Sequence, residues 1–533
     1  MEETDVVLLW GSNAREAHPI YFHHVLKGIR NGARMFAVDP RRTSSARWAD
    51  AWLGLDVGTD IALANTMARE IIHAGLANRT FIDRATTGFD AFAESVEEWT
   101  LERGEMETGV PAELIREVAH TYARADRAQI LWTLGITEHH NAVDNVWSLI
   151  NLSLLTGHVG RWGSGLAPLR GQNNVQGGGD MGAIPNKLPG FQAMDDDAVR
   201  ATFESTYGAD IVPKRGYFLT EMFDAMERGE LTAAWCIGEN PAQSEADSHR
   251  TIKLLDTLEF FVVSDIFLTK TAEMADVVLP SAASWCETEG TVTNSERRVQ
   301  RVRKALDPPG EARDDIWIIA EVARRMGNDW GEVTAEGLWE ELRSLSPVHA
   351  GMSWKRLEEL GGIQWPCLDE DDPGAPFLHG RLWQEDPEAR GEAAPFHVTP
   401  HELPVDELTE EYPLRLTTGR RLDSYNTGVQ SGGFSSPNRT GETFDLSPED
   451  AEAHGVRDGE VVRVTSRRGS VEVPVRIDPA LRPGLVFMTP HFPDEVDTNA
   501  LTIDAVDPRS GTAEFKATAV RIDKLDRAAA KGA

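Results

Sequence analysis

The same short pattern occurs twice in this chain: an apolar strand, a glycine turn, a helical stretch, a second apolar strand and an acid. The first copy runs from Val6-Val7-Leu8-Leu9-Trp10 into Gly11-Ser12-Asn13, then through a helix-like stretch over about 18–31 and a strand over 35–38, ending at Asp39-Pro40-Arg41-Arg42. The second runs from Ala233-Ala234-Trp235-Cys236-Ile237 into Gly238-Glu239-Asn240-Pro241 and closes with a strand over 260–263 and Ser264-Asp265. Beyond each acid the copies stay in step, because Ala46, Ala49, Asp50 and Leu53 match Ala272, Ala275, Asp276 and Leu279. An internal repeat of this kind restricts the fold before any other feature does. The order of its parts is that of a dinucleotide-binding half. A glycine turn lets backbone N–H groups and a helix N-terminus meet a pyrophosphate. The acid can accept hydrogen bonds from a ribose or a guanine edge. Neither copy has the full GxGxxG fingerprint, which disfavours ordinary NAD binding. Two copies suit two nucleotides held by one protein.

The first half continues as α/β. A short strand over 53–57 ends at Gly58-Thr59-Asp60 and precedes a long apolar helix carrying Ile61, Leu63, Ala64, Met67, Ile71 and Ile72. A strand over 129–134 closes on Gly135-Ile136-Thr137-Glu138, and the helix over 143–155 is apolar enough to be largely buried. After about Pro404 the pattern changes to short alternating strands. Val461-Val462-Arg463-Val464-Thr465 and Val471-Glu472-Val473-Pro474-Val475 flank an Arg468-Gly469 turn, a further strand covers 484–488, and a short helix runs from Pro448 to His454. The expected fold class is α/β: two related dinucleotide-binding-like α/β domains plus a C-terminal, mostly β barrel.

Charge limits the partners. The formal net charge is −33, which argues against nucleic acid, whose binding depends on clustered Lys and Arg. No apolar run approaches the ~18–20 residues that cross a bilayer, so no membrane partner is expected. Cys236, Cys286 and Cys367 form no CxxC pair; they are read as buried reduced thiols rather than cluster ligands. The cysteine usage gives a leaning towards the cytoplasm.

At Leu169-Arg170-Gly171-Gln172-Asn173-Asn174-Val175-Gln176-Gly177, continuing to Asp180-Met181-Gly182, the chain resembles the formate dehydrogenase branch of the bis-molybdopterin guanine dinucleotide oxidoreductases. Supporting matches include Trp10-Gly11-Ser12-Asn13, Gly58-Thr59-Asp60, Gly238-Glu239-Asn240-Pro241, the run from Ser264-Asp265 to Thr271, Ala275-Asp276-Val277-Val278-Leu279-Pro280, Gln364-Trp365-Pro366-Cys367 and Thr417-Thr418-Gly419-Arg420. In that family two guanine dinucleotides grip one molybdenum or tungsten. The resemblance implies that Arg170 lies next to the metal, where a rigid, permanently charged fork of donors suits a small carboxylate such as formate. It implies that Gly171 and Gln172 run along a pterin, and it adds Gly135 to the cofactor residues. Gly11, Ser12, Asn13, Asp39, Pro40, Arg41, Gly58, Thr59 and Asp60 would hold one guanosine diphosphate end. Gly238, Glu239, Asn240, Ser264, Asp265 and Asp315 would hold the other. Thr418, Gly419, Arg420, Asn499 and Lys516 would come from a barrel that caps the cofactors, with Arg421 assisting. Two departures are noted: Glu138 stands where many relatives carry glutamine, and Thr288 where some carry lysine. A carboxylate at 138 would repel phosphate unless it faces an amino group. His18, His139 and His140 are read as helix-end or surface residues rather than as bases or ligands.

The resemblance also implies what precedes the first residue here. In the family a CxxCxxxC-type segment binds one [4Fe–4S] cluster, and a cysteine or selenocysteine then ligates the metal. No residue of this chain is assigned to the metal. The expected division is a first guanine-dinucleotide domain over 1–170 completed by 314–403, a second over 171–283, a stub of the iron–sulfur domain over 284–313 and the barrel over 404–533. The missing segment, or a separate subunit carrying it, and an electron-transfer subunit are the expected partners. The chain alone is expected to be inactive. Runner-up readings are a related molybdenum reductase of nitrate or another small oxo-substrate, and a non-catalytic cofactor-binding scaffold.

Overall fold

The computed structural model describes residues 1–422, 424–427 and 441–525. The chain divides into two compact units, one from residues 1–169, 243–251 and 377–533, the other from 170–242 and 252–376.

In the first unit β1 (Val6–Trp10), β2 (Arg34–Val38), β3 (Ala51–Leu53), β4 (Ala128–Trp132) and β5 (Gly165–Pro168) form one parallel sheet in the order β3-β2-β1-β4-β5. β1 is apolar at every position because both faces of a parallel sheet are covered, and all five of its residues are buried. Alternation along the strand assigns the two faces. Val7 and Leu9 pack with Phe22 and Val25 of α1 (Pro19–Arg30), while Leu8 and Trp10 join α2 (Asp60–His73) and α3 (Ala142–Thr156). The expected helix over 18–31 loses only its ends: His18 and Asn31 are its caps. Two strands are shorter than the sequence suggests. The strand expected over 53–57 lies earlier, as β3, and meets the expectation only at Leu53, since residues 54–57 are loop and turn. The one expected over 129–134 stops at Trp132, because the chain coils into a short helix, Leu134–Thr137. The sheet order reverses between β1 and β4, which leaves a crevice at their C-terminal ends where open α/β sheets bind ligands.

In the second unit the short helix α4 (Val175–Asp180) and the helix α5 (Leu219–Glu227) precede a parallel sheet of β6 (Ala233–Ile237), β7 (Phe260–Asp265) and β8 (Val277–Pro280), ordered β8-β7-β6. One face, through Phe261 and Val263, packs on Phe223 and Met226 of α5. On the other, Phe260, Ile237 and Val277 are 50%, 41% and 38% exposed. A second sheet in this unit is antiparallel, built from β9 (Gly290–Thr293), β10 (Arg298–Val302) and β11 (Ile363–Gln364).

Six strands then close into a barrel within the first unit: β12 (Leu414–Thr418), β13 (Phe444–Leu446), β14 (Val461–Thr465), β15 (Ser470–Ile477), β16 (Leu485–Met488) and β17 (Thr518–Lys524), in the order β12-β16-β13-β15-β14-β17. Val462 and Val464 of β14 point into its core while Val461 is exposed, as the alternation predicts. The short helix α6 (Pro448–His454) starts at Ser447, whose side chain caps the Asp450 N–H. The fold is therefore mixed α/β with parallel sheets and a closed C-terminal β barrel, as expected. The cysteines correct one expectation. All three are free thiols, but only Cys367 is buried; Cys236 and Cys286 are partly exposed.

Candidate functional site

The two glycine loops repeat one another hydrogen bond for hydrogen bond. Gly11 N–H donates to the Val38 carbonyl at 2.8 Å, and Gly238 N–H donates to the Ser264 carbonyl at 2.8 Å. Both glycines have left-handed φ, +55° and +63°, a conformation with a low cost only for glycine. Two residues on, Asn13 Oδ1 accepts from the Ser45 hydroxyl at 2.8 Å, and Asn240 Oδ1 accepts from the Thr271 hydroxyl at 2.7 Å. Each hydroxyl oxygen in turn accepts a backbone N–H, that of Arg15 at 2.9 Å and that of Ala242 at 3.0 Å. The acids are used alike. Asp39 Oδ1 accepts the Arg41 N–H at 2.9 Å, and Asp265 Oδ1 accepts the Phe267 N–H at 3.1 Å. Even the matched Asp50 and Asp276 share a task, capping the N–H of Met35 and of Phe261 at 2.8 and 2.7 Å. The sequence alignment of the copies reached Asp50 and Asp276 but not the Ser45 and Thr271 pins. Both stand at the sixth residue after their acids, inside the span where the copies agree, so the register of the repeat pairs them.

In the first unit the loop is pressed against a second glycine. Gly135 N–H donates to the Gly11 carbonyl at 3.2 Å. A Cβ on Gly135 would lie 2.5 Å from that oxygen, and one on Gly11 would lie 2.8 Å from the Gly135 carbonyl carbon. Beside them Ser12 is buried, and its Oγ has no hydrogen-bond partner among the described residues. A buried hydroxyl without a partner costs about 1–3 kcal/mol, and a phosphate or ribose oxygen at this loop would satisfy it. Asp39 is 9% exposed, and burial pushes its carboxyl up to about 6 even though Arg41 opposes the shift. Pro40 follows it in the turn. The Arg41 guanidinium lies over the Phe487 ring at 3.6 Å. A cavity of about 570 Å³ opens here, lined by Asn13, Arg41, Arg42, Arg47, Arg476 and Asp478 among others. Arg15, Arg42 and Arg47 have no ion-pair partner among the described residues. In a chain of net charge −33, such a concentration of unpaired guanidinium groups suits an anion. Chemically and sterically the loop fits the diphosphate end of a dinucleotide.

Other expected residues take more structural positions. Gly58 has φ +86°, and a Cβ there would meet Pro404 at 2.6 Å. Thr59 and Asp60 are buried at the start of α2: the Thr59 hydroxyl donates to the Asp56 carbonyl, and Asp60 accepts Trp10 Nε1–H at 2.7 Å. On the barrel, the Thr418 hydroxyl donates to the Phe515 carbonyl at 2.8 Å, and a Cβ on Gly419 would crowd Phe487 at 3.0 Å. Arg420 reaches the Ala17 carbonyl at 3.3 Å. The Asn499 amide donates to the carbonyls of Gln243 and Ser244, both at 3.1 Å. Lys516 faces Glu138 at 2.6 Å, which resolves the departure at 138: its carboxylate does meet an amino group. Arg421 is buried and paired with Asp445 at 2.9 Å. The histidine reading needs correction. His18 is a helix cap, but His139 is 3% exposed and ion-paired with fully buried Glu514 at 3.1 Å, which also meets His140 at 3.3 Å. Nothing in the local sequence marks Glu514 as their partner, because it lies more than 370 residues away.

In the second unit Ser264 is buried and its hydroxyl accepts Trp235 Nε1–H at 2.8 Å. Asp315 accepts the Ser281 hydroxyl at 2.8 Å, and it lies near enough to Asp265 to help burial raise that carboxyl. A Cβ on Gly238 would meet open space, leaving room for a ligand at the turn followed by Glu239 and Asn240. Arg170, Gly171 and Gln172 are exposed on the loop before α4, with the Arg170 Nε–H donated to Gln176 Oε1 at 3.0 Å.

Known proteins resemble this chain along most of its length. The molybdopterin oxidoreductase family model matches residues 1–325, and the molydopterin dinucleotide binding domain matches residues 414–519. The F420-dependent formate dehydrogenase 2 subunit alpha of Methanococcus maripaludis is 42% identical over 98% of this chain and 77% of its own length. The assimilatory nitrate reductase catalytic subunit of Bacillus subtilis is 34% identical over 97% of this chain and 74% of its own. Among solved structures, acetylene hydratase from Pelobacter acetylenicus superposes with a TM-score of 0.75 at 22% identity, covering 98% of this chain and 78% of that one, and so shows the fold. On the extent of these matches, the chain belongs to the molybdopterin oxidoreductase family.

Proposed function

We propose that this chain is the catalytic polypeptide of a formate dehydrogenase, oxidising formate to carbon dioxide, a proton and two electrons. The observation that carries the reading is the Arg170-Gly171-Gln172 loop in a chain whose two glycine loops share one hydrogen-bond plan. A formate dehydrogenase subunit is also nearer in sequence, at 42%, than a nitrate reductase, at 34%. When bound, the metal and its two guanine dinucleotides would supply the two-electron chemistry. This chain's residues would hold and orient. Gly11, Ser12, Asn13, Asp39, Arg41 and Gly135 would seat one nucleotide end, with Pro40, Gly58, Thr59 and Asp60 shaping the pocket. Gly238, Glu239, Asn240, Ser264, Asp265 and Asp315 would seat the other. Gly171 and Gln172 would border a pterin, and Thr418, Gly419, Arg420, Asn499 and Lys516 would support the cap. Arg170 would hold the formate carboxylate by charge-assisted hydrogen bonds. The division into domains over 1–170 with 314–403, 171–283, 284–313 and 404–533 belongs to the same proposal.

The wider setting is part of this reading. The metal is molybdenum or tungsten. A [4Fe–4S] cluster and a cysteine or selenocysteine ligand come from a segment or subunit joined to this chain, and an electron-transfer subunit takes the electrons in the cytoplasm during formate metabolism. Among the described residues no helix is long and apolar enough to cross a membrane. The test is to purify the complex containing this chain from cells that make the cofactor and assay it with a viologen dye. Formate-dependent dye reduction is expected, with Arg170→Ala lowering kcat/KM at least a hundredfold. Oxidation of reduced dye by nitrate without any formate oxidation would replace this reading with the reductase. Bound guanine dinucleotide with neither activity would replace it with a scaffold.

A further inference from the structure

The Arg170 guanidinium is not simply left on a flexible loop; a chain of side chains in the second unit reaches it. Its Nε–H donates to Gln176 Oε1 at 3.0 Å. One helical turn later, Gln176 Nε2–H donates to Asp180 Oδ1 at 2.9 Å. The other carboxylate oxygen, Asp180 Oδ2, accepts Trp365 Nε1–H at 3.0 Å. Asp180 is 2% exposed, so this end of the chain is fixed in the interior while Arg170 stands at the surface.

The polarity of this rail admits one arrangement. A guanidinium can only donate and an ionised carboxylate can only accept. An uncharged side chain that bridges them must offer an oxygen to one and an N–H to the other, which an amide does. Gln176 therefore cannot flip without placing its N–H against the guanidinium and its oxygen against the carboxylate. Residues 176 and 180 face the same side because they are four apart on α4. The register of α4 is itself set by sterics. Asn174 takes a left-handed φ of +66° and accepts the Thr293 N–H at 2.9 Å, and a Cβ at Gly177 would fall 1.9 Å from its Oδ1. Only glycine leaves room for that contact at 177.

We propose that Gln176 is a positioning residue, backed by Asp180 and Trp365, which fixes the plane of the Arg170 guanidinium so that its fork is presented to a small carboxylate in one orientation. The inference rests on the reading of Arg170 given above. It deepens that reading by naming what makes an arginine on a surface loop rigid. Preorganisation matters because a donor that must first be ordered gives up binding energy in doing so, and a misaligned clamp loses rate as well as affinity.

The experiment is a double-mutant cycle on the purified complex. Gln176→Met keeps the length of the side chain and removes both hydrogen bonds. It is expected to raise the KM for formate and to lower kcat/KM about tenfold, with a smaller change in kcat. Asp180→Asn, a second route to the same effect, leaves one oxygen for two N–H donors, so either Gln176 or Trp365 loses its acceptor and the rail is broken on one side of residue 180. Arg170→Lys has no Nε–H to be oriented, so adding Gln176→Met to it is expected to cost less than twofold. Equilibrium binding of nitrite, a bent monoanion with the dimensions of formate, gives a readout independent of turnover and should weaken by a similar factor in both rail variants. If the wild type binds nitrite but does not oxidise formate, the functional reading falls and the binding arm still measures the rail. The proposal is overturned if the wild type does not bind nitrite, if both rail variants bind it as the wild type does, or if the effects of Gln176→Met and Arg170→Lys simply multiply.

Discussion

At the scale of single residues the repeat gives the sharpest expectations. Gly135→Ala would place a methyl 2.5 Å from the Gly11 carbonyl oxygen, and both partners are backbone, so nothing flexible can yield. The first loop must then open, and the complex is expected to lose at least half of its guanine nucleotide, measured after acid release, while the barrel stays folded. Asp39 sets a pH limit on the same loop. Its folded carboxyl is pushed up to about 6 by burial, whereas an ordinary aspartate titrates near ~3.9. A guanine or ribose donor binds the ionised form, so affinity is present above about 6 and is lost as pH falls through that value. Titrating GDP into the cofactor-free chain should show affinity falling about tenfold per pH unit below the midpoint, and Asp39→Asn should remove the dependence. These residues were legible in the sequence because glycine turns and strand-end acids carry their chemistry locally. Ser45 and Thr271 were passed over, since a hydroxyl that pins a loop looks like any other hydroxyl until the two copies are laid in register. The Asp39 shift was invisible, because it comes from burial.

At the scale of elements, the link between the Leu134–Thr137 turn and the end of the barrel rests on the buried His139–Glu514 pair. Burial alone would push Glu514 up, but the His139 charge and the hydrogen bonds from both histidines hold it down to about 2. Burial likewise acts to lower His139, and the Glu514 carboxylate overcomes it and raises the imidazole. The signs give two edges. The carboxylate's contribution is present above its unfolded value of about 4.3 and fades as pH falls towards about 2. The imidazole's contribution is complete below about 6.5 and is lost as pH rises through the raised folded value. Urea unfolding should therefore be most favourable for the folded state between roughly pH 4.5 and 6.5 as far as this pair is concerned. Glu514→Gln is expected to cost about 3–5 kcal/mol there, as for a buried pair with one partner removed, and less at pH 9. No periodicity could have shown this. The sequence marks strands and helices by local pattern, and it carried β1, β6, α1 and α6 almost to their ends, but a contact between residues this far apart in sequence is tertiary. The exposed face of β6, β7 and β8 is a second element-scale finding. A parallel sheet is normally covered on both sides, so Phe260, Ile237 and Val277 are expected to gain protection from hydrogen exchange when this chain joins its complex.

For the molecule as a whole, the duplication was enough to predict two nucleotide-type sheets and the change to short alternating strands was enough to predict a barrel, but charge is what the sequence states without any folding argument. There are 86 acidic against 53 basic side chains. The basic ones are heavily used: Arg421 and Arg476 meet Asp445, Arg467 and Arg468 meet Asp406, and Arg301 and Arg303 meet Glu358. Even if every cation were paired, the excess of −33 would remain without a counter-charge. That excess repels itself more strongly in the compact state than in the expanded one. Salt screens the repulsion over a Debye length that falls from about 10 Å at 0.1 M to about 3 Å at 1 M. It also weakens the exposed pairs, but each of those is worth only about 0–1 kcal/mol, and the buried Arg421–Asp445 and His139–Glu514 pairs are shielded from it. The net effect is that potassium chloride should stabilise this chain. Raising it from 0.05 to 1 M is expected to lift the melting temperature by about 3–6 °C, the shift of a 1–2 kcal/mol change in a domain-sized unit. Reversing a few exposed acids outside both glycine loops in sequence, for example Glu336→Lys with Asp371→Lys and Glu410→Lys, should reproduce part of that gain at low salt and reduce the response to added salt. A melting temperature that falls with salt, or is indifferent to it, would mean that the surface pairs outweigh the excess charge.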